Sequence, residues 1–328
     1  MRIEGSCVKT LNYRRFARKA ERLGINSIAR WIGSWRGLLV LTYHRIGDPR
    51  DCELDRGVFS TDVGTFATQM DFLQRHFEVV SIEDVIDRSP DYWSKRQSVL
   101  ITFDDGYIDN YTHAFPILRD RGIPALFFVT SGFVDNRPLA WWDEIANMLR
   151  IGTAACDCSD IDSRIERTLE EFYELPTEAC DDFLNEIAEN AGCTRSSRDN
   201  ADVWMTWDML REMTKHGMSF GGHTVTHPIL TRGNESWQFE LAEGKRRIES
   251  ETQTKVSAFS YPVGTPECIS EELKSVTADH YEVAFGCYGG VNNAKGRNGW
   301  DRMEMQRWPI FGSMRQFQTT VTWPQLRV

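Results

Sequence analysis

Apolar residues along this chain gather in short runs, separated by longer amphipathic stretches. The densest runs, Leu38–Tyr43 and Ser98–Phe103, are rich in leucine, β-branched and aromatic residues and read as buried strands. Between them, Phe66, Met70, Phe72, Leu73 and Phe77 recur at helical spacing over Thr65–Phe77. Glu78–Ser81 then starts a short strand and Ile82–Asp87 reads as helix. Beyond the second strand the pattern predicts a helix from about Ile108 to Arg121, closed by Gly122, and a strand over Pro124–Thr130. Strand, helix, strand in this order marks an α/β fold with parallel strands.

The rhythm breaks at Asn136. From Trp141 to about Asn200 there are helical patterns and acidic loops but no strand signal, so residues 137–200 read as a helical insertion, a lid or rim above one end of the fold. Alternation resumes with a helix over Trp207–His216, a strand over Met218–Gly221 and a polar helix over Glu235–Gln253. Strands over Val256–Tyr261 and Glu282–Phe285 follow. At the other end, Lys9–Arg36 is arginine-rich with a modest apolar face. Residues 1–36 therefore read as a helical arm packed on the domain formed by 37–328, with peripheral membrane contact as the second reading.

Composition narrows the classes. Hydrophobic content of 41% and charged content of 26% are ordinary for a globular chain of 328 residues. The net charge of −10 argues against a nucleic-acid partner. No apolar run approaches the roughly 20 residues of a membrane span. No apolar core follows the first residues, Met1 to Cys7, as it would in a secretory signal, which points to a cytoplasmic protein. The eight cysteines lack zinc-finger spacing and are expected to be reduced.

Two stretches carry chemistry. The Ser98–Phe103 strand ends in Asp104-Asp105-Gly106. Neighbouring side chains on a strand point to opposite sides, so two adjacent carboxylates there suit different tasks, one holding a cation and one handling protons. Capping of the next helix is the plainer reading of the pair. The second stretch is Gly221-Gly222-His223-Thr224-Val225-Thr226-His227-Pro228. Two histidines four apart fall on one side of a single turn and, as neutral imidazoles, suit Zn²⁺ and similar divalent ions. With one carboxylate they make three ligands and leave room for water and substrate. The second carboxylate is then free to act as a general base. That is equipment for hydrolysing an amide or ester.

Thr102-Phe103-Asp104-Asp105-Gly106 together with His223-Thr224-Val225-Thr226-His227 resembles the polysaccharide deacetylase family (NodB type, carbohydrate esterase family 4), and Phe259-Ser260-Tyr261-Pro262-Val263-Gly264 is similar to its third motif. The resemblance runs from about Leu38 to Phe311. It implies a distorted (β/α) barrel with fewer than eight regular strands. It implies Asp104 as general base, Asp105, His223 and His227 as ligands of a divalent metal, Zn²⁺ first, and a backbone N–H near Val263 as oxyanion donor. Two features depart from it. Ser260 stands where many members carry an arginine that tethers the base, which makes Arg307 a candidate replacement or a simple ion-pair partner. The late Leu-x-His motif is absent, and Tyr43-His44-Arg45 resembles an early Tyr-His of one branch, which makes His44 the candidate general acid. Tyr261, Pro262 and Trp142 are expected along the sugar groove, with packing of the insertion as the other reading of Trp142. The activity implied is removal of an N-acetyl group from an amino sugar in a polysaccharide, glycolipid or nucleotide-sugar precursor. The rivals are hydrolysis of another C–N bond, a formamide or cyclic ureide, and an inactive sugar-binding homologue.

Overall fold

The structure, a computed structural model, describes residues 35–153, 160–195, 202–233, 237–294 and 300–324. Among the described residues ten strands run in chain order: β1 (Gly37–Tyr43), β2 (Arg45–Ile46), β3 (Phe59–Thr61), β4 (Glu78–Val79), β5 (Gln97–Phe103), β6 (Leu126–Val129), β7 (Ser219–Gly222), β8 (Ala258–Ser260), β9 (Val283–Phe285) and β10 (Arg307–Pro309). The main sheet follows the order β10-β1-β5-β6-β7-β8-β9, with β4 added beside β5. Every pairing in it is parallel. A parallel bridge between Phe285 and Met305, just ahead of β10, brings the two ends of the path together. The result is a nearly closed parallel barrel ringed by helices, the distorted (β/α) barrel expected.

The long apolar runs have a direct cause: both faces of the sheet are covered. All seven residues of β1 are buried. Alternate positions feed two layers. Leu38, Val40, Leu100, Leu126, Phe128, Ala258, Val283 and Phe285 fill the barrel, joined by Val80, Ile82 and Trp93 at the end where the strands begin. Leu39, Leu41, Tyr43, Ile101, Phe103 and Phe127 face outward, against Phe66, Met70, Leu73, Phe115 and Leu118 of the helices. Each such side chain contributes about 1.5–3 kcal/mol on leaving water.

Helices form where the sequence marks them. Asp62 caps Val63–His76 by accepting from the Thr65 N–H, and Gly122, left-handed at φ 61°, ends Phe115–Arg121. The helices expected over 108–121 and 235–253 differ in their first turns, where π-turns span Asn110–Ala114 and Phe239–Glu243. Within 137–200, three helices cover Trp141–Thr153, Ile161–Glu174 and Thr177–Ala191, packed on one another through Ile145, Leu149, Ile165, Phe172, Leu184 and Ile187. The arm expected over 1–36 lies outside the described residues except for Trp35 and Arg36. Trp35 is buried, and its indole N–H donates to the Val321 carbonyl at 2.9 Å. The described cysteines are all free thiols. Among the described residues no helix is long and apolar enough to cross a membrane.

Candidate active site

The alternation that builds the core also sets the site. Val40 and Thr42 on β1, and Leu100 and Thr102 on β5, face the barrel axis, and the paired threonine hydroxyls lie 3.2 Å apart. The next inward position on β5 is Asp104. Its N–H donates to the Tyr43 carbonyl at 2.9 Å, so it extends the strand at its C-terminal end, where barrel sites are built. On β10, Arg307 points inward as well and is fully buried. Its guanidinium grips Asp104 in a two-pronged pair, Nη1 to Oδ1 at 2.7 Å and Nη2 to Oδ2 at 2.8 Å. The same guanidinium donates to Ser260 Oγ at 2.7 Å and to the Gly286 carbonyl at 3.1 Å. Burial pushes the Asp104 carboxyl up, but Arg307 and the nearby histidines outweigh it and hold it at about 2. Arg307 is thus an ion-pair partner of Asp104, the contact that a tether of the base requires, and Ser260, at the position where many family members carry an arginine, braces it.

Asp105 turns the other way. Its backbone is left-handed, φ 74°, a sparsely populated conformation for aspartate, and this swings the carboxylate off the strand direction. Oδ1 then lies 3.4 Å from His223 Nε2 and 3.5 Å from His227 Nε2. One ligand atom from each of the three side chains falls within 4.8 Å of the others, and all three residues are buried. His223 Nδ1 lies 2.7 Å from the Ser260 carbonyl, an arrangement that puts a proton on Nδ1 and leaves Nε2 as a lone pair toward Asp105. Burial, with His223 alongside, lowers His227 to about 4, so its ring is neutral at pH 7. Asp105 Oδ1 and His227 Nδ1 are buried without hydrogen-bond partners. Buried polar atoms are normally satisfied. A carboxylate oxygen left bare between two imidazole nitrogens fits a divalent cation.

The histidine stretch is not a helical turn. Residues 223–227 form an irregular loop in which Thr224 (φ 67°) and His227 (φ 60°) are left-handed. Tertiary contacts enforce that shape. Buried Glu240 accepts from the N–H groups of Val225 (2.7 Å) and Thr226 (3.0 Å) and from the Thr226 hydroxyl (2.8 Å). Gly132 donates to the Val225 carbonyl at 3.0 Å, and a Cβ there would collide with that carbonyl. Neither residue stood out in the sequence. Glu240 sits in the π-turn, which pattern does not reveal.

The remaining expected residues divide. His44 is half-buried beyond the end of β1; burial lowers its pKa, while Asp105 and Asp104, both within electrostatic range, pull it up. Val263 is half-buried with a left-handed φ of 65°. Pro262 is buried. Tyr261 does not line the groove. It belongs to the outer layer, packs edge-on against Phe259 at 5.3 Å and donates to the Met303 carbonyl at 3.0 Å. Trp142 offers no sugar-stacking face at a rim either, being only 6% exposed. Its ring meets His227 at 4.8 Å and 67°, and its N–H donates to Tyr107 Oη at 2.6 Å. Tyr107 in turn donates to buried Asp143 at 2.9 Å, whose carboxyl burial pushes up to about 7.

Comparison with known proteins adds to this geometry. The family model described as polysaccharide deacetylase matches residues 92–281. YxkH from Bacillus subtilis (strain 168), which carries the same family description, is 22% identical over 186 residues. That match spans 56% of this chain and 43% of YxkH, less than half of the relative's length. Among solved structures, the Streptococcus pyogenes deacetylase PplD in complex with acetate superposes with a TM-score of 0.55 at 18% identity, over 84% of this chain and 92% of PplD. A de-N-acetylase from Aggregatibacter actinomycetemcomitans gives 0.53 at 17% identity, over 84% and 94%. At these identities the likeness is one of fold.

Proposed function

The chain belongs to the polysaccharide deacetylase family, and from that premise we propose that it removes the N-acetyl group of an amino sugar, releasing acetate and a free amine. One observation carries the reading: Asp105, His223 and His227 converge with an uncoordinated buried oxygen, beside a second carboxylate clamped by Arg307.

Asp105, His223 and His227 would hold a divalent cation, Zn²⁺ by the nitrogen-rich donor set. When bound, such an ion polarises the acyl oxygen and makes water more acidic. Asp104, fixed by Arg307 and ionised at neutral pH, accepts a proton from the attacking water. The water oxygen bonds to the acyl carbon, and the Val263 N–H, beyond the end of β8, steadies the oxyanion. The C–N bond then breaks as His44 donates a proton to the departing nitrogen, so that the amine leaves neutral. The proton on Asp104 returns to His44 through solvent and closes the cycle. PplD, a fold relative, was captured with acetate, the product expected here. The arginine-rich sequence over residues 9–36 supports a lipid-linked amino sugar as substrate.

The test is acetate release across a panel of free, oligomeric, nucleotide-linked and lipid-linked N-acetyl amino sugars, with and without added Zn²⁺. Asp104→Asn should keep metal affinity and lose about 10²–10⁴-fold in turnover. Formate or a ring-opened product would indicate a different C–N hydrolase. Sugar binding without turnover, unchanged in Asp104→Asn, would indicate a binding module.

A further inference from the structure

The three helices over 141–191 enter the chain between β6 and β7, yet they are anchored far beyond that gap. One anchor lies on the segment after β2. Asp162 pairs with Arg150 at 2.5 Å and with Arg56 at 3.4 Å, Arg150 reaches the Leu54 carbonyl, and buried Asp143 accepts the Asp55 N–H at 3.0 Å. The other anchor lies past the histidine loop that follows β7. The Thr177 hydroxyl donates to the Arg232 carbonyl at 3.2 Å, and Arg232 Nη1 donates to the Leu175 carbonyl at 3.3 Å. Thr231 carries the tie onward to the Glu267 carbonyl, after β8, at 3.1 Å.

The ring order decides what this means. Along β10-β1-β5-β6-β7-β8-β9, the first anchor follows the β1–β2 end and the second follows β7, with β5 and β6 between them. In a ring of this size those are nearly opposite banks. The helices therefore cross the C-terminal mouth and wall off the arc above β5 and β6. Trp142 sits in the middle of the span, edge-on to His227. Half-buried Tyr173 packs edge-on against Trp141 at 5.0 Å, close enough to the centre for the charge of Asp105 to act on its phenol. None of these ties reaches the segments that follow β9 or β10.

We propose that this bridge gives the site one closed end, so that the enzyme accepts a terminal or single N-acetyl amino sugar and rejects an internal unit of a longer chain. An internal unit must let the polymer leave in two directions, and here one direction meets the helices. The proposal rests on the deacetylase reading above and specifies its substrate class.

The experiment uses the full chain with Zn²⁺ and β-linked N-acetylglucosamine oligomers of two to six units, reading acetates lost per molecule by mass spectrometry. A plateau of one acetate per chain, independent of length, is the expected result. Acetate loss that grows with length would overturn the proposal while leaving the deacetylase reading intact. No acetate from oligomers, monosaccharide or nucleotide-linked sugar would overturn both. A Thr177→Val, Arg232→Ala double variant releases the far anchor. It should keep monosaccharide turnover and remove more than one acetate per hexamer; a plateau still at one would overturn the role given to the bridge.

Discussion

The two neighbouring acids at the end of β5 sit in opposite kinds of surroundings. On the Asp104 side every strong donor has an acceptor: both carboxylate oxygens are taken by Arg307, and the guanidinium is completed by Ser260, Gly286 and Thr102. On the Asp105 side, a carboxylate oxygen is buried between two imidazole nitrogens with nothing to bond. The contrast separates two ways of using a buried charge. A finished polar set fixes one ionised group in one position, whereas an unfinished set has its missing member supplied from outside.

The largest break in this comparison is to remove a member of the unfinished set. His223→Ala should weaken Zn²⁺ binding by more than about 100-fold, since loss of an outer-shell partner alone costs 10–100-fold. Turnover should vanish with it, and the folded chain should persist. Calorimetric titration reads the affinity, and wild-type binding in the variant would end the ligand assignment.

Next is Arg307→Ala, which strands a buried carboxylate. The expected loss is about 3–5 kcal/mol of stability by chemical denaturation. The sign of its pH dependence follows from the depressed pKa. Asp104 titrates at about 2 when folded and near about 4 when unfolded, so its contribution is complete above pH 4 and disappears as pH falls toward 2. The gap between wild type and variant should narrow over that interval. A gap independent of pH would mean that the pair does not set the stability.

The smallest effect sharpens the comparison. Glu240→Gln keeps one oxygen for the two N–H groups of Val225 and Thr226 but removes the charge and turns an amide donor toward the Thr226 hydroxyl. Metal affinity should fall about 10-fold, in the range for outer-shell partners, with little change in melting temperature. An equal loss of stability and affinity would make Glu240 a fold residue rather than a positioning one.

Much of this was legible in one dimension because strand parity is local. Leu38, Val40 and Thr42 share a face, as do Leu100, Thr102 and Asp104, so the inward acid could be read from sequence. The same rule, applied to Phe259-Ser260-Tyr261, turns Ser260 inward and Tyr261 outward, and the expected groove role of Tyr261 ran against it. What escaped depends on distant contacts. β10 is three residues containing an arginine and a proline, a strand only because the ring closes on it. The histidine loop takes its left-handed residues from Glu240 and Gly132, neither adjacent to it in sequence. Trp142 looks like a sugar platform until the insertion folds over it and presses it on His227.

The clamp on Asp104 is drawn from 203 residues downstream. Ribosomes add roughly 5–20 residues per second, so on the order of 10–40 s pass between synthesis of the acid and synthesis of its guanidinium partner. Once His227 has been made, and until Arg307 follows, the nascent polypeptide carries its imidazoles and acids without the guanidinium that pins Asp104. Under the proposed mechanism, competence would arrive late and all at once, with the docking of a three-residue strand, and a prematurely terminated product lacking it would turn over no substrate.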